Sequence, residues 1–366
     1  MSLLICLIVF WAALYFLGNL AKLERYGIEI DPFILVWRIE KLKDLIFNTP
    51  GVVRNVVSTL SVLGYILAPA SAVFGLWYLA SKTINQVLGY SNQPAAIPLI
   101  PYVTIPFDWA LIATIVVLAV VHEAFHGLTA LSMGVRVKNA GLAVLFALIG
   151  FFVELEDEDL KKVSRRKRFR IYSAGSVGNY IVAGLTFILI ASMFIGFPRE
   201  PYGVYIVEPL KGQPSEGVLR AGDIIIALND TRIRSYLELA RYMLGTKPGE
   251  DLVITTERGN FTVRLAENPR NRSIGFMGLK LYTGDYYKPR INVKGELAVK
   301  IYTYLSLNMW INLGLAMFNF LPALPADGGK IVEMYLEGRR KILYAISIAV
   351  WGTLGLSMLL FYLPGG

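Results

Sequence analysis

The stretch Val116-Val-Leu-Ala-Val-Val-His122-Glu123-Ala-Phe-His126-Gly places three ionisable side chains inside an apolar run. The run extends from residue 109 to 135 and contains no other Asp, Glu, Lys or Arg. As a helix it is long enough to cross the hydrocarbon core of a bilayer, which is about 30 Å thick. Ionisable groups are costly there and by default indicate function. The stretch therefore predicts a chemical site inside a membrane-spanning helix.

The spacing of the two histidines favours metal binding. Residues four apart share one helical face, with β-carbons about 5–6 Å apart, so both imidazoles can reach one Zn²⁺. Glu123 lies about 100° around the helix from His122, where it can act on a water molecule rather than bind the metal. The alternative is a chance match to the H-E-x-x-H pattern. His122 and His126 are the only histidines in the chain, which argues against chance.

A catalytic zinc needs a third protein ligand, and the fourth position is kept for water. The single cysteine, Cys6, lies in the first apolar run, so the ligand should be a carboxylate. Asp327 is the best candidate because it follows the proline-rich stretch Asn319-Phe-Leu-Pro-Ala-Leu-Pro-Ala and precedes two glycines, which predicts irregular backbone at membrane depth. In the alternative interpretation Asp327 is a solvated cap. Glu154 and Glu156 are weaker candidates.

Composition excludes an ordinary soluble globule: 55% of the 366 residues are hydrophobic, 17% are charged and the mean hydropathy is +0.52. One cysteine also excludes an intrachain disulfide scaffold. We expect an all-α polytopic membrane bundle of about six transmembrane helices plus a small α+β soluble domain. The six apolar runs are 1–21, 55–81, 109–135, 171–198, 301–326 and 342–366.

Two shorter segments belong to this bundle. Residues 139–153 are too few to span a membrane as a helix and are expected to be a re-entrant or strand-like element. Between residues 30 and 50, apolar side chains at Leu35, Ile39, Leu42 and Ile46 are spaced by four, three and four. That spacing predicts an amphipathic helix, lying on the cytoplasmic membrane surface or packed on the protein's own core.

The net charge of +9 is better explained by orientation than by nucleic-acid binding, which we do not expect. Seven basic residues between 161 and 170 directly precede an apolar run, and three more occupy 339–341. The positive-inside rule then places both termini outside and these segments in the cytoplasm. The absence of targeting tracts favours a prokaryotic plasma membrane.

The chain divides into four predicted parts. Residues 1–106 hold two transmembrane helices and the amphipathic segment, and 107–198 hold the first part of a catalytic core. Residues 199–295 are charged throughout with short alternating segments, which predicts a soluble domain outside the membrane. Residues 296–366 hold the second part of the core and the final transmembrane helix.

The motifs at 122–126 and 319–328 together resemble those of the site-2 protease family of intramembrane zinc metalloproteases. Ala174-Gly-Ser-Val-Gly-Asn179 is similar to that family's Gly-x-x-x-Asn segment, although Ser176 stands where proline is common. The resemblance implies that one zinc per chain is bound by His122, His126 and Asp327, that Glu123 activates the water, and that the metal is reached from the cytoplasmic half of the membrane.

Two asparagines have open roles. Asn319 could stabilise the oxyanion of the tetrahedral intermediate, as a further catalytic residue, or pack the broken helix. Asn179 is expected to hydrogen-bond between helices. The resemblance also implies single-span membrane-protein substrates that an upstream site-1-type protease has trimmed.

The predicted soluble domain resembles the PDZ domains of membrane and periplasmic proteases through Gly203–Pro209, Leu219–Asn229 and Pro248–Ile254. PDZ grooves bind extended peptides. Residues 202–206 could be the carboxylate-binding loop or plain sheet core, and the domain could instead be a size filter. Two other functions are considered: a catalytically inactive PDZ-bearing scaffold, which would not need Glu123, and a metal transporter, which would need acidic residues along several helices.

Overall fold

The computed structural model describes residues 2–91, 93–96, 109–145, 148–293 and 295–362. The Cα positions separate into two compact units. The first comprises Met1–Ala183 and Asn308–Gly366, and the second comprises Gly184–Leu307.

The described helices and strands are numbered in chain order. The helices are α1 (Ser2–Leu20), α2 (Glu40–Phe47), α3 (Gly51–Leu60), α4 (Gly64–Val87), α5 (Trp109–Ser132), α6 (Asp157–Lys162), α7 (Arg165–Met193), α8 (Tyr236–Met243), α9 (Gly295–Asn319), α10 (Asp327–Tyr335) and α11 (Arg340–Tyr362). The strands are β1 (Ile28–Asp31), β2 (Ile34–Arg38), β3 (Val137–Leu145), β4 (Leu148–Leu155), β5 (Val204–Pro209), β6 (Ile224–Leu228), β7 (Thr231–Arg232), β8 (Asp251–Thr256), β9 (Gly259–Arg264), β10 (Ala266–Glu267), β11 (Gly275–Phe276) and β12 (Leu279–Leu281).

Four helical segments of the described chain are long and apolar enough to cross a membrane, with mean hydropathies of 1.7 to 1.9. The expected number of about six is not confirmed. The first and fifth predicted spans are helical as α1 and α9, and within the residues described in full α1 gives the shorter apolar stretch Ile8–Gly18. Helix α9 carries Glu296 and Lys300 in its first turns. The four segments are Gly51–Val87, Leu111–Ser132, Arg165–Met193 and Arg340–Tyr362.

A four-stranded antiparallel sheet in the order β1-β2-β3-β4 lies in the first unit. The prediction of a helix across residues 30–50 is wrong in its first half, because 34–38 form β2 and only Glu40–Phe47 are helical. The apolar spacing there also fits a strand. The branched and aromatic residues of β2 pair with β3 in the register Trp37↔Leu142, and this tertiary pairing decides the conformation. The segment expected to be re-entrant or strand-like forms β3 and β4, and β4 is the outer strand.

Two buried clusters hold the elements around the site. One cluster joins α2, α3, α5 and β3 through Ile46, Val57, Leu128, Val137 and Ala140, so the sheet is fixed against α5. The other joins α4, α7, the turn after α9, and α10 through Ala68, Phe169, Val177, Phe320, Ile331 and Met334.

The second unit is built on a sheet in the order β12-β5-β6-β8-β9, with β7 paired to β6 and α8 packed on it. Its core includes Ile206, Ile225 and Ile254, all fully buried. Strand β5 pairs with β12 on one side and β6 on the other, so residues 204–206 are sheet core rather than a free loop.

Candidate metal centre

Three buried side chains meet at one point in the first unit. His122 and His126 lie one turn apart on α5, and their Nε2 atoms are 3.2 Å from each other. Asp327 places Oδ2 3.2 Å from Nε2 of His122 and 3.1 Å from Nε2 of His126. Within the described chain these residues form the group of potential ligands that could hold a metal ion.

Asp327 reaches the histidines because the chain turns sharply after α9. The turn begins after Asn319 and ends at Asp327, the first residue of α10. A β-carbon on Gly328 would overlap the carbonyl oxygens of Phe320 and Leu321, and one on Gly329 would overlap the backbone at 323 and 324. The two glycines therefore allow a return of the chain that no other residue type would permit.

Helix α11 holds this turn from the other side. The Leu324 amide donates to Oγ of Ser347 at 3.0 Å, and the indole nitrogen of Trp351 donates to the Leu324 carbonyl at 2.7 Å. Both backbone polar groups of Leu324 are thus satisfied by side chains of the last helix. This is a supporting role that the sequence motifs did not reveal.

Helix α7 provides the space for a metal. A β-carbon on Gly175 would lie 2.7 Å from Nε2 of His122 and still closer to Nε2 of His126. The missing side chain leaves room beside both nitrogen atoms. Two imidazole nitrogens and one carboxylate oxygen lie close together beside this space. This donor set fits a catalytic zinc ion.

Contacts outside the three candidate ligands set their orientation. Nδ1 of His126 lies 2.7 Å from the Ile171 carbonyl, which can only accept, so in the neutral imidazole Nδ1 carries the proton and Nε2 keeps a lone pair. The Ser176 hydroxyl donates to Oδ2 of Asp327 at 3.3 Å. On the outer side, Nζ of Lys330 is 3.5 Å from Oδ1 of the same carboxylate. Sequence reasoning missed these three partners: the packing of α7 brings Ile171 and Ser176 to the site, whereas Lys330 lies one turn after Asp327 on α10.

Glu123 is next to His122 on α5 and is partly buried. Its Oε2 accepts a hydrogen bond of 2.9 Å from the amide of Val153 on β4. Val153 is opposite Ala140 of β3, and the Ala140 carbonyl accepts a hydrogen bond from the Ile39 amide on the other side of β3. Ala140 and Val153 are therefore a pair without hydrogen bonds to each other, and the Val153 amide points away from β3. The carboxylate thus lies against the outer edge of the sheet.

The other candidates lie apart from the cluster. Glu154 binds Lys138 at 2.6 Å and Asn139 at 2.7 Å, and these hydrogen bonds lower the pKa of its carboxyl. Glu156 precedes α6 and is partly exposed. Asn319 is the last residue of α9, and its side chain makes no hydrogen bond to the cluster within the described residues.

Comparisons with known proteins agree with this geometry. The profile of peptidase family M50 matches residues 110–362, which include both histidines, the glutamate and the aspartate. The chain belongs to peptidase family M50. The resemblance to site-2 proteases is thereby confirmed, and the family is one of zinc metalloproteases.

Individual relatives cover different shares of this family M50 chain. An uncharacterized protein of Methanocaldococcus jannaschii is 27% identical over 95% of this chain and 94% of its own length. A membrane-bound transcription factor site-2 protease homolog of Arabidopsis thaliana is 25% identical over 36% of this chain and 27% of that protein. The solved PDZ domain of an SdrC-like protein from Listeria monocytogenes matches 22% of this chain and 87% of its own chain, with 24% identity and a TM-score of 0.20.

Proposed function

We propose that this protein is an intramembrane zinc endopeptidase that hydrolyses peptide bonds within transmembrane segments of membrane proteins. The observation that carries the proposal is the buried convergence of His122, His126 and Asp327, with Glu123 beside them on an apolar helix. One zinc ion per chain would be held by these three residues. Bound zinc would act as a Lewis acid on the scissile carbonyl and lower the pKa of a water molecule.

Glu123 is the residue placed to move protons. Its carboxylate would accept a proton from the attacking water and deliver it to the leaving amine, which is the usual task of a general acid–base. The Val153 amide, which donates to Oε2, holds the carboxylate in position. Asn319 would act as an oxyanion donor if substrate binding brings its amide to the carbonyl.

A substrate helix has to unwind before it can be cleaved, because its carbonyl groups are hydrogen-bonded within the helix. Strand β4 offers a place for the unwound segment, since among the described strands it is one of the two end strands of its sheet and it lies against Glu123. An extended peptide added at this edge would run past the carboxylate. We therefore assign β4 as the substrate-pairing strand.

The proposed substrates are single-span membrane proteins that an upstream site-1-type protease has shortened. The similarity to a protein described as a site-2 protease homolog supports this sequence of cleavages. We further propose a prokaryotic plasma membrane with both termini outside and the metal reached from the cytoplasm, and six spans that include α1 and α9. The basic residues at 161–170 and 339–341 support that orientation.

The second unit is proposed to be a PDZ-like domain outside the membrane that binds an extended peptide. An apolar groove of about 250 Å³ lies between α8 and the segment 274–281. Leu239 and Met243 line it from α8, and Phe276 and Leu279 line it from the strands. Strand β12 is the end strand of the sheet, so a peptide can pair with it there. A size filter that excludes large external domains is the alternative.

The test compares the purified wild type with its Glu123→Gln variant in detergent. Zinc is measured in both proteins, and each is incubated with a membrane-spanning reporter peptide. We expect one zinc per chain in both and cleavage by the wild type alone, because glutamine keeps the shape of the side chain but cannot accept the proton. Equal activity in the two proteins, or an inactive wild type loaded with zinc, would contradict the proposal. The second of these results is expected of an inactive scaffold.

A further inference from the structure

Helix α7 faces the metal centre with three residues at steps of four. The Ile171 carbonyl contacts Nδ1 of His126, Gly175 leaves room beside both Nε2 atoms, and the Asn179 amide lies 3.1 Å from Nδ1 of His122. Steps of four keep residues on one helical face. One face of α7 therefore contacts Nδ1 of each histidine and leaves space beside the two Nε2 atoms.

The two outer contacts differ in what they offer. The Ile171 carbonyl is an acceptor, whereas the Asn179 atom nearest Nδ1 of His122 is the amide nitrogen, Nδ2. Asn179 is fully buried, and its amide oxygen, Oδ1, has no hydrogen-bond partner among the described residues. The contact with Nδ1 of His122 is therefore the hydrogen bond that orients this amide among the described residues.

The chemistry of His122 determines which end of the amide should face it. When Nδ2 donates to Nδ1, the proton of the neutral imidazole sits on Nε2, and a protonated Nε2 has no lone pair for a metal. When an acceptor faces Nδ1, the proton moves to Nδ1 and Nε2 is free to bind. Metal-binding histidines almost always donate their other ring N–H to an acceptor of this kind.

We propose that Asn179 is the positioning residue for His122, with its amide turned so that Oδ1 accepts from Nδ1–H. The oxygen and nitrogen of the amide are nearly equal in shape, so a 180° turn exchanges them without moving the helix. Both histidines then have an acceptor on the same face of α7. This inference rests on the proposed metal site and adds a role for a residue outside the three candidate ligands.

The test uses zinc affinity rather than cleavage as its readout. Asn179→Leu keeps the size of the side chain and removes the acceptor, whereas Asn179→Asp keeps the size and restores a stronger acceptor. Asn312→Leu is the matched control, because Asn312 is also a fully buried asparagine in a helix of the first unit. Its Oδ1 likewise has no partner in the described chain, and its Nδ2 donates within α9 to the Asn308 carbonyl at 2.9 Å. Affinity is measured in detergent by competition with a chelator, and the absorption spectrum of bound Co²⁺ reports on ligand geometry.

We expect Asn179→Leu to bind zinc about 10- to 100-fold more weakly than the wild type, which is the usual effect of losing such a partner. Asn179→Asp and Asn312→Leu should bind at least as tightly as the wild type and retain its Co²⁺ spectrum. Unchanged affinity in Asn179→Leu would overturn the proposal. So would equal losses in the Leu and Asp variants, since they would show a donor or space-filling role. A wild type that binds no zinc would overturn the proposed function as well, which separates the two failures.

Discussion

Replacing Gly175 by alanine tests whether the missing side chain on α7 is what makes room for the metal. The added β-carbon would lie 2.7 Å from Nε2 of His122 and closer still to Nε2 of His126. Carbon atoms do not approach nitrogen so closely, so the His122 nitrogen has to withdraw by at least about 0.3 Å, more than the ~0.2 Å tolerance of a metal–ligand bond. Because both rings move and the carbon occupies the space beside them, we expect zinc affinity to fall by at least about 100-fold, comparable to the cost of a misplaced catalytic group.

Stability should not fall in parallel. Alanine favours a helix over glycine by about 1 kcal/mol, which offsets part of the ~1–3 kcal/mol cost of overpacking. Gly184→Ala is the control, because Gly184 lies on the same helix and its added β-carbon would meet no atom within 4 Å. The assay measures zinc per chain and chelator competition for both variants, with thermal unfolding without added zinc as a check on folding. If Gly175→Ala binds zinc as tightly as Gly184→Ala, the inferred position of the metal is wrong.

Two further predictions concern β4 and the second unit. Val153→Pro removes the amide that donates to Glu123 without breaking a bond to β3, so zinc content should be unchanged while reporter cleavage falls about tenfold or more; undiminished cleavage would show that this amide does not position Glu123 for the reaction. Asp223 accepts hydrogen bonds from Arg258 and the Arg220 amide; burial raises the pKa of its carboxyl, but these bonds outweigh burial and lower the pKa overall. The hydrogen bonds to the Asp223 carboxylate therefore stabilise the fold at pH values above the ordinary aspartate pKa of about 4. This stabilisation is lost as the pH falls through the lower pKa that Asp223 has in the folded protein. At pH 7 we expect Asp223→Asn to lower the free energy of opening the strand at 224–228 by about 1–2 kcal/mol, as measured by hydrogen exchange of the full chain. The difference from the wild type should shrink towards pH 3, and a difference that stays constant with pH would contradict the assignment.

The candidate ligands could be predicted from sequence because each leaves a local signal. A four-residue spacing places two histidines on one face of any helix, and prolines before Asp327 with glycines after it indicate a sharp turn. The supporting contacts leave no such signal in their spacing, although the family resemblance drew attention to residues 174–179. Ile171, Gly175 and Ser176 contact the site only because α7 packs against α5 in one particular register, and Trp351 is distant in sequence from the residue that it binds.

The error at residues 30–50 has a related cause. The spacing of Leu35 and Ile39 fits one face of a helix and also one face of a strand. Only the pairing of β2 with β3, more than 100 residues later in the chain, decides between the two conformations. The expected six spans are not confirmed for a different reason, since the charged residues Glu296 and Lys300 lie in the first turns of α9. Local composition sets the hydropathy of a helix, whereas the elements that pack around the helix are determined by the whole bundle.

The support of Leu324 by Ser347 and Trp351 has a consequence for how the protein is made. Asp327 follows His126 by 201 residues, and the two side chains that hold its turn, Ser347 and Trp351, are synthesised later still. The three candidate ligands therefore cannot be fixed together until α11 has been translated. We expect a chain truncated before Ser347 to keep both histidines on α5 but to leave the turn before Asp327 without this support.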